Sequence, residues 1–506
     1  MIHSRLFSGA CSAALIAFAP AAQADITARE AWDSFKAYAE ISGQNIEVGS
    51  ESETGGTLRL SDVQVSILFP GGAARSELSS LSFSEQSDGS VAITLSPDYT
   101  ITVNGEDVDG EKFDMRATLT HDGMNIIAAG EPEAVTWTYT ADMLKLAMNM
   151  AATGGGGDAD VTVDMSVADM AGSYAFAEGE SADLSYDTIT GAVRVDMTVS
   201  ESDHGAQVRG SLAFDGMEFA AEGELPVTEN PEDFARALFK AGSLTGAYRL
   251  GAGTFAINIT DDGENFDLTG NSGGSEVNFA IQDGGFAYDT LTSNIDVTVA
   301  SNAMPMPPVT VSLAEYGASL EMPMAQSDEP GDFGLGLRFV GLSVPEDLWR
   351  MFDPSQVLPR SPATFILDLS GKANWLFDIF DEDATEAMEE MDEMPGELHA
   401  LTLDALQLSL GGAELTGSGA FTFDNNDLET FDGMPAPEGV INLSLNGGNG
   451  LLDKLVQLGY IQSQDAMGMR MMMGMFSVVA EGEDNLTSEI KVSKDGQVFA
   501  NGQRLQ

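Results

Sequence analysis

Hydrophobic residues recur at every second position through most of the chain. In VTVDMSV, Val161, Val163, Met165 and Val167 fall on one side and Thr162, Asp164 and Ser166 on the other. VRVDMTV (193–199) repeats the pattern, as do IDVTV (295–299), VTVSL (309–313), FILDL (365–369), LTL and LQLSL within 401–410, FTF (421–423) and INLSL (441–445). A period of two predicts strands with one dry and one wet face. Pairs such as Asn104-Gly105, Asp122-Gly123, Asp262-Gly263, Asp283-Gly284 and Asp495-Gly496 suit hairpin turns that need positive φ. The pattern predicts on the order of twenty strands or more, whereas a strongly twisted open sheet rarely exceeds about ten. The expected fold is therefore mainly β: large antiparallel meander sheets curled into a trough or stacked as a sandwich, with a few short capping helices. The runs GGGG (154–157) and NSGGS (271–275), and the acidic segment 321–332, read as flexible crossings.

Helical signals are sparse. Thr27 and Glu30 form a capping box ahead of Trp32, Phe35 and Ala39; Asn230-Pro231 opens a helix with Phe234, Ala237 and Leu238 inward and Gly242 near its end. Val344-Pro345 opens another around Leu348, Trp349 and Phe352, and residues 380–394, with Met388, Met391 and Met394 among carboxylates, read as a solvated surface helix. Near the C-terminus, Asn449 and Ser463 are expected caps of a helical hairpin broken at Gly459. Its second helix carries Met469, Met473 and Phe476 on one stripe and Met467, Met471 and Met475 on another, with Arg470 as its one basic residue. So apolar a helix must be buried or face something greasy. Thioether sulfur can bind copper(I), but neither Cys nor His accompanies these methionines and Arg470 would repel a cation. A pliable apolar lining is the favoured reading, because methionine adapts to irregular shapes.

The first 24 residues place Arg5 before an apolar run from Leu6 to Ala19 and end in Ala22-Gln23-Ala24, the pattern of a cleavable export signal. A retained membrane anchor is the alternative. Cleavage would remove Cys11, the only cysteine, and with it any disulfide, thiolate site or thiol nucleophile. The expected regions are a signal peptide (1–24), an N-terminal β-rich region opened by a helix (25–156), a central antiparallel region (157–343) and a C-terminal region with a helix, strands and the methionine hairpin (344–506).

Eighty acidic against 22 basic residues give a net charge of −58. Such a surface repels nucleic acid and anionic membranes, so neither is an expected partner, nor is stable membrane insertion after cleavage. Of the histidines, His121, His204 and His399 form no metal or catalytic pattern, and no nucleophile-elbow, Walker or dinucleotide motif occurs. Asp424, Asn426 and Asp427 lack the spacing of an EF-hand, and the turn at 261–265 needs no ion. No catalytic, cofactor or metal residue is nominated. The expectation is a non-catalytic periplasmic protein that binds or shields lipid or another apolar ligand through Met467, Met469, Met471, Met473, Met475, Phe476 and Trp349. A structural or protein-interaction module and an unrecognised enzyme are the alternatives; the protein partner and oligomeric state stay open.

The phrases PEDLWRMFDPSQVLPRSPATFILDLSG (345–371), GELHALTLDALQLSLGGAELTGSGAFTFD (396–424) and DNLTSEIKVSKDGQVFANGQRL (484–505), with EAWDSFKAYAEISGQNIEV from Glu30, resemble the exported Gram-negative (alphaproteobacterial) family called domain of unknown function 2125. That family carries no activity or catalytic residues to transfer. GGAELTGSG and DGQVFANGQRL are also similar to AsmA-like periplasmic repeats, which implies a long curled β-sheet forming an apolar trough in cell-envelope homeostasis.

Overall fold

A computed structural model describes residues 26–505 apart from 42, 70–71, 107–111, 153–158, 178–180, 202–204, 229–233, 304–305, 382–395 and 483. The expected signal peptide, the GGGG run, His204 and nearly all of the acidic helix at 380–394 lie outside the described residues. So does the Asn230-Pro231 opening.

All 28 described strands belong to one antiparallel sheet. Gln44–Thr54 forms one end, pairing only with Thr57–Phe69; the short strands Val498–Ala500 and Gln503–Arg504 form the other. No described pairing joins the two ends, so the sheet is open rather than a closed barrel. The regions drawn from sequence lie on this one sheet: Ala134–Ala152 pairs with Ala159–Ala177, and Gly331–Leu342 with Ala363–Trp375. About twenty rows at roughly 4.8 Å each make a sheet on the order of 100 Å long.

Two-residue turns with both φ values positive close hairpins at Gly55-Gly56, Asp262-Gly263, Asp283-Gly284, Gly411-Gly412 and Asn501-Gly502. Asp495-Gly496 also lies in a turn between strands. Two expected turns are corrected. Asn104-Gly105 sits inside a strand, opposite Asp114 and Phe113. Asp122-Gly123 sits between two collinear strands, Lys112–Asp122 and Asn125–Glu131, that pair with successive halves of Ala134–Ala152. NSGGS is likewise paired backbone on both sides of Gly273, not a flexible crossing.

Asp122-Gly123 and Gly273 mark a crease that crosses the sheet. Row after row, the ladder skips a residue at the same transverse position: Asp62 against Gly49, Asp169 against Asp142, Asn294 against Ala314. Other rows split there into two strands, as at Gly191-Ala192 and Gly251-Ala252. Asp62, Asp169 and Asn294 adopt left-handed φ of 54°, 47° and 50°. Each leaves the ladder opposite one skipped residue on the partner strand, so the register is the same on either side of the crease. The consequence is a shift of phase along each strand. Leu60 and Val63 lie on one face although three residues apart, as do Leu78 and Leu81. Glycine stands across from the left-handed residue because a Cβ has no room: at Gly49 it would come within 2.9 Å of Asp62 Cβ, and at Gly273 within 2.9 Å of Asn294 Nδ2.

The packed core sits at the first end. Helix α1 (Ala28–Ile41) lays Trp32, Ala31 and Phe35 on Leu58, Leu60, Leu81, Phe83 and Ile93, with Trp32 stacked 5.8 Å from Phe35 and tilted 5.6 Å from Phe83. The Thr27–Glu30 capping box forms as the sequence predicts, and Arg29 ties the helix to Glu51 and Glu53. Helix α2 (Phe234–Ala241) buries Leu238 at the row ends. Helix α3 (Glu346–Phe352) is held by a polar knot. The Asp353 carboxylate, fully buried, accepts from the Val357 and Leu358 amides at 2.9 and 2.8 Å and from Arg360 at 2.6 Å. Arg360 also reaches Glu346 and lies 4.5 Å over the Trp349 ring. Burial alone would raise the Asp353 carboxyl, but Arg360 and the two amides hold it below the usual carboxylate range.

Three outcomes test this account by urea denaturation. Trp32→Ala costs about 3–5 kcal/mol, because the indole fills the one packed core. Gly49→Ala costs about 1–3 kcal/mol through overpacking at the crease, whereas Gly468→Ala, on an open helix surface, is neutral or stabilises by up to about 1 kcal/mol. Asp353→Asn lowers the midpoint at pH 7. A depressed folded-state pKa stabilises above the unfolded value and loses that contribution as pH falls, so the gap from the parent closes below about pH 4.

Candidate functional site

Cross-strand partners share a face, so the registers trace which residues the sheet presents together. On one face the columns are apolar from row to row. Leu146, Met165, Val195, Leu212, Phe255, Gly270, Val297 and Val311 stand in succession on one side of the crease. On the other side run Phe219, Tyr248, Val277, Thr290, Ala318, Leu337, Leu367 and Leu406. Aromatic rings step across neighbouring rows, Tyr174 to Tyr186 at 6.5 Å, Tyr186 to Phe219 at 5.4 Å and Phe219 to Tyr248 at 6.3 Å. The opposite face is acidic: Asp164 stands beside Asp196, and Asp183 beside Glu224.

Beyond the core under α1, little covers the apolar face. Met197, Leu212, Ile257, Leu320, Leu335 and Phe339 are each near 40% exposed. Flanking rungs shield these side chains, but among the described residues no second layer lies on them. Contiguous exposed apolar surface of this extent is rare on soluble proteins and marks an interaction or ligand surface.

The C-terminal hairpin forms as the sequence predicts, with α4 (Gly448–Gln457) ended by Gly459 at φ 78° and α5 (Ser463–Phe476) following. Its caps differ from expectation. Asp484, not Asn449, accepts from the first amides of α4, those of Asn449 and Gly450; Gln462 and Asp465, rather than Ser463, form the capping box of α5. A cap supplied from another part of the chain has no local signal. Arg470 is not free: it donates to Asp453 at 2.6 Å and to Asn449, clamping α5 to α4.

Only Ala466 of α5 is fully buried. Met467, Met471, Met472 and Met475 are about 60% exposed or more, Met469 and Phe476 less so, and Met473 is half-buried. Met472 belongs to this surface although the stripes of the sequence passed over it. Val478 and Val479, just beyond, extend the patch. Trp349 is separate from the methionines, packed between Arg360 and Phe352. The link is Tyr460, whose hydroxyl donates to the Phe352 carbonyl at 2.6 Å and joins α3 to the turn before α5.

Two histidines and the acidic turn at Asp424 are engaged locally. His121 contacts the Ser96 carbonyl at 2.9 Å; His399 contacts Asn374 at 2.7 Å beside a cavity of about 410 Å³ lined also by Glu397, Asp424 and Lys494. Asp424 and Asp427 accept from backbone amides two and three residues on. Among the described residues no three His, Cys, Asp or Glu side chains are grouped to hold a metal ion, and no helix is long and apolar enough to cross a membrane.

No curated protein matches the sequence. Two solved structures align weakly: the alcaligin outer membrane receptor FauA from Bordetella pertussis, at 8% identity and a TM-score of 0.19 over 79% of this chain and 70% of that one, and the ferric citrate transporter FecA in the unliganded form, at 8% identity and 0.18 over 91% and 76%. Scores so low establish no common fold. A family model does match, over residues 250–505, which spans α3, the helical hairpin and half of the sheet. The chain therefore belongs to the family described as "Uncharacterized protein conserved in bacteria (DUF2125)".

Proposed function

We propose that this is a non-catalytic periplasmic protein that holds or shields lipid, or a comparably apolar ligand, against the apolar face of its sheet. One observation carries the reading: apolar columns continue across row after row, with side chains near 40% exposed and, among the described residues, only α1 laid over one end. Covering such side chains contributes about 25 cal/mol per Å², independent of charge. An acidic chain can therefore retain an apolar ligand without attraction to its headgroup. In the same reading Met467, Met469, Met471, Met473, Met475 and Phe476 form a pliable contact at one end, and Trp349 supports it through α3. Methionine suits ligands of varied shape.

Purification without detergent, solvent extraction and mass spectrometry test the proposal. The expected result is co-purified lipid whose amount is the same after washing at low and high salt. Met467→Glu with Met471→Glu lowers it severalfold, since burying a charge against an apolar chain is unfavourable. Protein that emerges lipid-free and also takes up no fluorescent fatty acid overturns the reading.

A further inference from the structure

The polar face is not uniform. Across the consecutive rows from Gly274–Gln282 to Ala363–Trp375, one column reads Asn278, Asp289, Ser319, Gly336, Asp368. Beside it stand Leu291, Gly317 and Arg338 on one flank, and Ala287, Glu321, Gly334 and Ser370 on the other. Three glycines in adjoining positions remove side chains from the middle of this patch. A cavity of about 740 Å³ opens there. Burial reverses to match: Gly317 and Gly336 are buried and Asp368 is only 3% exposed, while Leu320 and Leu335 on the apolar side are near 40%. The sheet is hollowed toward its polar face at this point.

Asp368 is the unusual group. Its Oδ2 lies 3.7 Å from Arg338 Nη2, but its buried Oδ1 has no hydrogen-bond partner. That oxygen stands 3.3 Å from where a Cβ on Gly336 would be, and the Ser319 hydroxyl closer still, at the wall of the hollow. Buried acceptors are nearly always satisfied, so a bare carboxylate oxygen behind the wall of a cavity asks for a donor from outside. Six carboxylates line the space, from Asp283, Asp289, Glu321, Asp332, Asp368 and Asp404, against two cations. Both cations are already engaged, Arg338 with Glu315 and Asp368, and Lys372 with Asp332 at 2.7 Å.

We propose that this hollow binds a linear aliphatic polyamine, with one ammonium on Asp368 Oδ1, another on Asp289 and Glu321, and the methylene stem over Gly336, Gly334 and Leu291. The sign of the lining excludes an anion. A bare metal ion is a poor match for a cavity this large, and among the described residues no three carboxylates are grouped for one. Asp368 and Asp289 stand three rows apart, roughly 14 Å along a flat sheet and less where it curls, which calls for two charges on one extended stem. Burial pushes the Asp289 and Glu321 carboxyls up, so a cation between them favours their ionised forms.

Calorimetric titration of the full chain with spermidine in 150 mM salt tests the assignment. Saturable binding at one site is expected, with none for tetraethylene glycol. Asp368→Asn weakens it about tenfold or more, the scale of a lost charge-assisted hydrogen bond. Asp289→Asn, at a less buried position, gives a second loss should the first variant melt early. Asp164→Asn, elsewhere on the polar face, leaves affinity unchanged. Heat that never saturates, equal affinity in all three variants, or complete displacement by magnesium at matched ionic strength would show diffuse counter-ion attraction and overturn the site.

Discussion

The structure depends on one constraint: an antiparallel ladder must stay hydrogen-bonded while the sheet bends, and every row must still present its apolar side chains to the same face. One unpaired position per row, in step on neighbouring strands, meets both demands. Because side chains alternate with a period of two, a residue turned out of the ladder lets side chains three apart share a face while the register stays the same. Asp62, Asp169 and Asn294 are such residues, with left-handed φ. The glycines across from them follow from sterics, since the side chain at the crease fills the space a neighbouring Cβ would need.

The faces differ in character across many rows. One carries columns that are mostly apolar, and the other carries carboxylates such as Asp164, Asp196, Asp183 and Glu224. Among the described residues only α1 builds a conventional core, by placing Trp32 on Phe83 and its neighbours. The other helices serve row ends and turns: α2 follows the strand ending at Pro226, and α4 sits by the Gly411-Gly412 hairpin, where Leu451 occupies the space beside Gly411. This division leaves large apolar side chains without a second layer. It also explains why the methionine helix is exposed, being clamped to α4 by Arg470 and to the last strands through the Phe476 carbonyl rather than sunk into a core.

The family-matched segment around α3 is held by polar contacts instead of apolar packing. Asp353, Arg360, Glu346 and the Trp349 ring form one cluster, with two backbone amides closing the carboxylate. The words that carry the resemblance, PEDLWRMFDPSQVLPRSP, thus encode a turn and its internal bonds.

Much of this was legible in the residues alone. Period-two alternation gave the strands, their antiparallel pairing and the inward faces, because it is a local pattern written in every row. The capping box at Thr27 and Glu30 and the break at Gly459 were legible for the same reason. The crease was written too, as a slip from Leu60 to Val63 or from Val167 to Met170, but Asp122-Gly123 read as a turn because the crease and a hairpin both use left-handed backbone. Only the tertiary structure decided which was which, since the difference lies in whether the next row pairs with both halves. It alone also decided that Asp484 caps α4, that Trp349 lies under Arg360 and that Asp368 faces a hollow left by three glycines. Those relations join residues far apart in the chain, and no local pattern carries them.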